Sequence, residues 1–259
     1  MGLLSWLLAC GRSEIPSPSE TPPVPTAAPT EAVRPSPPLA AAPPTSLTSA
    51  PSAAPGTISP IPLTGLCVTS GAVEPRGPTR FAVTAPTFRA VSSSPAESRA
   101  ELRFTYLGPS DTTRALGSGA IRQQLGLKLR AQDPCNLVYV MWRLSPESKL
   151  VVSVKRNPSD HTSAECGNRG YKNLRGLIDA PVPPVRPGSS HSLRAELNGS
   201  TLQVMADDVL VWKGELSPDA LAIDGPVGVR TDNVHIEAEL RGSTRDANIP
   251  CSAGTEASE

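Results

Sequence analysis

The sequence has few aromatic residues, three each of Trp, Tyr and Phe in 259 positions, and only three histidines. It has no net charge, with 24 Lys and Arg against 24 Asp and Glu. Zero net charge argues against a general coating of nucleic acid, which needs a strong basic patch, and no nucleic-acid partner is expected. The apolar run Leu3-Leu4-Ser5-Trp6-Leu7-Leu8-Ala9 stops far short of the ~20 residues a helix needs to cross a bilayer. There is no Gly-x-Ser-x-Gly, no His-Glu-x-x-His and no phosphate-binding loop, so those three chemistries have no motif to stand on. Cys-x-x-Cys is absent too, which removes the usual zinc frame.

Proline, by contrast, is abundant. Of 30 prolines, fifteen lie between Pro16 and Pro62. Residues 11–63 hold five charged side chains, no aromatic, and mainly Pro, Ala, Ser and Thr. Such a segment buries too little surface to offset chain entropy, and proline favours an extended backbone. Residues 11–63 are therefore expected to be a disordered, semi-stiff stalk of up to ~150 Å at ~3.1 Å per residue. Residues 64–251 are long enough for one substantial core, and 252–259 read as a disordered tail.

Ahead of the stalk, Leu7-Leu8-Ala9-Cys10 resembles a bacterial lipobox, in which the cysteine becomes the lipid-bearing first residue. Leu8 is large for its place in that motif and no Lys or Arg precedes the run. The resemblance implies a signal segment over 1–10, lipidation at Cys10 and the lipid bilayer as a partner. It also implies an exported protein anchored to the bacterial cell envelope, at a periplasmic or outer-membrane surface. Several acyl chains at ~0.8 kcal/mol per buried CH₂ hold a soluble domain on a membrane without a spanning helix.

Setting Cys10 aside, four cysteines remain, Cys67, Cys135, Cys166 and Cys251. An even number in an exported chain points to two disulfides, with three connectivities open. Pairing Cys67 with Cys251 would clasp the ends of the folded region and leave Cys135 with Cys166.

The dominant period is two. Leu102, Phe104 and Tyr106 alternate with polar neighbours, as do Leu125, Leu127 and Leu129, then Leu193, Ala195 and Leu197, then Val234, Ile236, Ala238 and Leu240. This predicts strands with one wet face. Val138–Trp142 and Leu150–Val154 are more continuously apolar and read as central strands, with Tyr139 and Trp142 in the core. Asn198-Gly199 between alternating runs signals a hairpin, and Asp207-Asp208 a second turn. The only helical signal is a single turn near Ser217–Ala220. An all-β antiparallel sandwich or barrel follows.

The stretch His191–Gly199, with Leu202-Gln203-Val204, Asp208–Val211 and Gly225–Asn233, resembles the closing third of concanavalin A-like lectin/glucanase jelly rolls. Laminin-G-like and 3-keto-disaccharide-hydrolase-like domains are among them. The resemblance covers about 50 residues and implies a jelly-roll β-sandwich. It speaks to fold more than to function. Calcium is held by some such domains at loop oxygens; Asp224, Asp232 and Asn233 lie near strand ends, but no ligand series is visible, so no cofactor is expected.

For catalysis, the Glu-x-Asp-x-x-Glu pattern of the laminarinase-like branch is absent. Glu237 and Glu239 share a face by alternation, but it reads as the solvated face of an edge-like strand. His191 and His235 read as surface residues. The most unusual segment is Asn157–Gly176, polar, rich in glycine and tied by Cys166. There Tyr171 offers a ring face, and Asn168, Arg169 and Asn173 offer planar hydrogen-bonding groups. The expected function is non-catalytic binding of glycan or cell-envelope material. A structural or protein-interaction module of the envelope and a glycan-cleaving hydrolase are the alternatives.

Overall fold

A computed structural model describes residues 58–93 and 96–244. Cys10, nearly all of the 11–63 stalk, Cys251 and the 252–259 tail lie outside the described residues. The described chain runs β1 (Ser59–Pro60), β2 (Leu66–Ser70), β3 (Glu74–Pro75), β4 (Arg80–Val83), β5 (Thr87–Ser92), β6 (Ala96–Pro109), β7 (Gln123–Asp133), β8 (Asn136–Ser145) and β9 (Lys149–Lys155). It continues with α1 (Ser163–Cys166), β10 (Tyr171–Asn173), β11 (Ile178–Asp179), β12 (Ser190–Asn198), β13 (Thr201–Ala206), β14 (Val209–Glu215), α2 (Pro218–Leu221), β15 (Gly228–Asp232) and β16 (Val234–Thr244). No helix among the described residues is long and apolar enough to cross a membrane.

The strands form two antiparallel sheets. A nine-stranded sheet has the order β11-β14-β13-β12-β6-β16-β4-β3, with β1 also on β16; a seven-stranded sheet has the order β10-β9-β8-β7-β15-β5-β2. The alternation explains the sandwich. Leu102 and Leu193 sit side by side in register on β6 and β12, as do Phe104 and Ala238 on β6 and β16. These inward residues meet Phe88, Leu125, Leu127 and Trp142 from the other sheet in one apolar core. Trp142 is fully buried, edge-on to Phe104 at 5.8 Å between ring centroids. Each large apolar side chain so buried contributes about 1.5–3 kcal/mol. The all-β antiparallel sandwich is thus the architecture.

Turn chemistry follows the sequence. β12 and β13 close with Asn198 opposite Thr201 and Gly199 at φ 61°. Asp207 and Asp208 both take positive φ, 50° and 63°, between the paired Ala206 and Val209. Positive φ at both central residues is the type I′ pattern of a two-residue hairpin, whereas in the Gly199–Ser200 turn only the first residue, a glycine, is positive, as type II′ needs. Ser217 caps α2, accepting a hydrogen bond from the Ala220 N–H.

Three expectations are corrected and one is refined. β16 is no edge strand: it lies between β6 and β4, and Glu237 and Glu239 stand on its polar outer face. His191 points inward, packing against Phe104 and Trp142. Tyr139 and Trp142 are three residues apart on one strand, so they face opposite ways; both are buried, Trp142 in the main core between the sheets and Tyr139 in a second apolar cluster with Ala131, Leu137 and Met141. A second one-turn helix, α1, interrupts the Asn157–Gly176 loop, set by a capping box between Thr162 and Glu165.

Candidate functional site

The outer face of the seven-stranded sheet is built from two adjacent rows. One row runs Val151, Met141, Gly126, Arg230, Arg89 across β9, β8, β7, β15 and β5. The next runs Arg143, Gln124, Asp232, Thr87 across β8, β7, β15 and β5. On the other flank, Asn173, Ser153 and Tyr139 align across β10, β9 and β8. All of these but Gly126 floor a cavity of about 300 Å³, walled by residues 115–118 and by Asn168 and Tyr171. Gly126 is required at the centre, because a Cβ there would lie 2.1 Å from the Val140 carbonyl oxygen.

At the bottom sits a buried ionic knot. Asp232, 1% exposed, accepts from Arg89 Nη2 at 2.6 Å, Arg230 Nε at 2.9 Å and Gln124 Nε2 at 2.7 Å. Burial alone would push the Asp232 carboxyl up, but Arg89, Arg230 and Gln124 outweigh it and hold it at about 2. Arg89 also donates to the carbonyls of Phe88 and Thr231, at 2.8 and 2.7 Å. Arg230 lies over the Tyr139 ring, 5.0 Å from its centroid, and donates to the Tyr171 hydroxyl at 3.4 Å. Burial pulls the Arg230 guanidinium down, but Asp232, Tyr139 and Tyr171 raise it well above its ordinary value, so it stays charged.

Tyr171 stacks on Tyr139 with centroids 6.0 Å apart and planes at 20°, and Lys155 Nζ stands 5.1 Å from the Tyr171 centroid. Tyr171 keeps 39% of its surface exposed. The loop that delivers it is pinned at three points. Cys135 and Cys166 form a disulfide. The buried Asn136 amide donates to Asp133 and to the Asp160 carbonyl, and its oxygen accepts from Arg156 and the Asn157 N–H. The Asn157 amide donates to the carbonyls of Cys135 and Arg169. Cys67 is also disulfide-bonded, while Cys251, its expected partner, lies outside the described residues.

The facing wall, residues 110–122, is pinned by Asn233. Its side-chain oxygen accepts from the Arg114 N–H at 2.7 Å, and its amide donates to the carbonyls of Arg114 and Arg122. Asn233 takes φ 56°, which an Asn tolerates better than most residues. Gly117 of this wall packs directly on Asn168, whose side chain a Cβ would meet at 2.5 Å. The two loops therefore close on each other at one rim of the cavity.

Of the four residues singled out from the sequence, Asn168, Tyr171 and Asn173 line this cavity, and Arg169 does not. Arg169 turns outward to Asp160 at 3.1 Å and to the carbonyls of Glu165 and Cys166, bracing α1. The cationic lining is Arg89, Arg122, Arg143 and Arg230 instead. The sequence reading missed these arginines and considered Asp232 only as a calcium ligand. For Arg89, Arg143 and Arg230 the signal was present in the alternation of β5, β8 and β15, where they occupy the face opposite the core residues; Arg122 lies just ahead of β7.

Both oxygens of Asp232 and the side chain of Asn233 are committed to protein partners, which takes two of the three residues considered for calcium. No group of three metal-ligating side chains gathers among the described residues. Ser189 Oγ is 2.8 Å from His191 Nε2, and His191 Nδ1 is 2.7 Å from Asp207, in the order of a hydrolytic triad. Yet the hydroxyl donates to the Arg186 carbonyl at 2.6 Å and accepts from the Arg186 N–H. Asp207 also accepts from the Ser192 N–H at 2.8 Å. The trio ties a turn to the start of β12.

No family model matches the sequence, and no curated protein does either. Solved structures do align. A carbohydrate-binding module, CBM66, from Bacillus subtilis aligns at TM-score 0.46 and 15% identity, over 68% of this chain and 92% of that one. The carbohydrate recognition domain of Emp46p aligns at 0.45 and 10%, over 69% and 88%. SCLam, a non-specific endo-β-1,3(4)-glucanase of family GH16, aligns at 0.41 and 7%, over 66% and 72%. The structures that align thus include both carbohydrate-binding domains and a glycan-cleaving enzyme.

Proposed function

We propose that this chain is an exported protein that binds glycan in the groove on the outer face of its seven-stranded sheet, without cleaving it. The observation that carries the reading is the stacked Tyr139–Tyr171 pair flanking a cavity of about 300 Å³ whose floor bears planar hydrogen-bonding groups. That volume is at the lower bound of ~300–1,000 Å³ for small-ligand sites. Aromatic faces suit the apolar faces of sugar rings, and guanidinium and amide planes suit their hydroxyls. Glycoside cleavage needs two carboxylates ~5–9 Å apart. The cavity lining supplies one, Asp232, which two arginines hold ionised and out of reach of proton transfer. The Cys135–Cys166 disulfide fits an oxidising, extracytoplasmic compartment. The anchor at Cys10 and the stalk complete the reading: a tethered domain held off a membrane surface.

Wild-type protein and Tyr171→Ala are compared on a glycan array and then by calorimetry. Wild type binds a defined set of glycans, and the variant loses at least about tenfold in affinity, in keeping with a stacking contact of ~1.5 kcal/mol. Retention on envelope proteins with no glycan signal would overturn the reading in favour of a protein-interaction module. The exposed Leu177 and Ile178 at the β11 edge would then be the first surface to test. Turnover of a bound glycan, abolished by one carboxylate change, would establish the hydrolase instead. For the anchor, Cys10→Ser leaves the membrane fraction and loses the lipid mass; a variant that still fractionates with membranes at unchanged mass would refute it.

A further inference from the structure

The charge of the groove is unbalanced. Four arginines and one carboxylate line it: Arg89, Arg122, Arg143 and Arg230 against Asp232. Asp232 is shared by Arg89 and Arg230. Arg122 and Arg143 make no ion pair among the described residues, and Arg143 Nε is buried with no hydrogen-bond partner. The nearby Glu147 is occupied by Lys149 at 2.5 Å. Burial first and the adjacent Arg122 charge second pull the Arg143 guanidinium down, and Glu147 offsets this only in part. A neutral ligand closing over this lining would desolvate that charge and leave it unanswered, which is unfavourable. An anionic group answers it, and the guanidinium fork matches a carboxylate or sulfate with two parallel hydrogen bonds.

We infer that the groove takes an acidic saccharide, its anionic group held by Arg122 and Arg143 and its ring set against Tyr171. This rests on the glycan-binding reading and narrows it to sugars that carry a carboxylate or a sulfate. Arg230, held by Asp232 and lying over Tyr139, supplies a second cationic contact from the floor.

The test uses the full chain and three probes: an oligo-uronate, the same oligomer with its carboxyls reduced to alcohols, and a sulfated neutral oligosaccharide. Calorimetry at low and high salt reads the affinities. At least one anionic probe binds and the reduced oligomer binds at least about tenfold more weakly; Arg143→Gln and Arg122→Gln each lower the anionic affinity about 10- to 100-fold. Raising the salt weakens the wild-type complex and has less effect on the variants. Thermal unfolding of both variants, measured in parallel, separates lost binding from lost fold. The carboxylate and sulfate probes decide which anion is the source. If the reduced oligomer binds as well as the acidic one, or if both arginine variants bind like wild type, the inference is overturned and the glycan reading stands. If no probe binds and no array glycan does, both fall.

Discussion

The two sheets carry their charges differently. On the nine-stranded sheet, opposite charges lie side by side across strands: Arg80 with Glu237 at 3.1 Å, Arg99 with Glu196 at 2.7 Å and Arg241 with Glu101 at 3.2 Å; along β16, Arg241 also meets Glu239 at 2.8 Å. Register places these signs together, Glu196 opposite Arg99 and Arg241 opposite Glu101. On the seven-stranded sheet, the outward charges are mostly cationic, buried or half-buried, and interleaved with tyrosines. The first surface pairs its charges with one another, and its exposed pairs are worth little individually. The second keeps an excess of one sign beneath two pinned loops, an arrangement that favours a ligand over the folded state alone. Alternation of period two puts polar residues outside in both sheets; the sign of those residues tells them apart.

The comparison is broken most severely at Asp232. Asp232→Asn leaves Arg89 and Arg230 buried without their counter-charge, and a loss of about 3–5 kcal/mol is expected in urea unfolding. The same residue gives a pH signature. Its folded value of about 2 lies below the ordinary 3.8, so its contribution is fully present above about pH 4 and is lost as pH falls toward 2. In acid titrations followed by circular dichroism, the variant lacks this component. Removing the bridge by the double change Cys135→Ala, Cys166→Ala frees a loop with a sequence separation of 31 and costs about 3–4 kcal/mol by the chain-entropy model. Hydrogen exchange then rises over residues 156–173. Asn233→Ala removes three hydrogen bonds from the 110–122 wall; about 1–3 kcal/mol is lost, and exchange there rises while the nine-stranded sheet stays protected. On the balanced face, Arg80→Ala changes stability by less than about 1 kcal/mol and leaves ligand affinity unaltered. A large effect there would show the two faces to be less distinct than their charge patterns indicate.

How far the sequence foretold this differs by element. The alternation of Leu102, Phe104 and Tyr106, the Asn198-Gly199 turn and the Ser217 cap each act within a few residues, so they read directly onto β6, the β12–β13 hairpin and α2. The loop around Cys166 was also visible, and it delivers Asn168, Tyr171 and Asn173 to the cavity. Arg169 sits beside Asn168 in sequence but points away, because its guanidinium is drawn to Asp160 and to the end of α1. α1 itself was signalled by Thr162 and Glu165, a capping pair too short to show any period. Arg89, Arg230 and Asp232 were hidden for another reason. Their alternation looks the same for a wet face as for a groove, and only sheet order brings β5 and β15 together across more than a hundred residues.

The pins at Cys135–Cys166, Asn136, Asn157 and Asn233 bear on kinetics as well as on stability. Each fixes wall backbone in the unliganded protein, so little ordering entropy remains to be lost when a ligand arrives. Association at such a site is governed by the rate of encounter, with no slow rearrangement preceding it, and differences among ligands appear chiefly in how long each one stays.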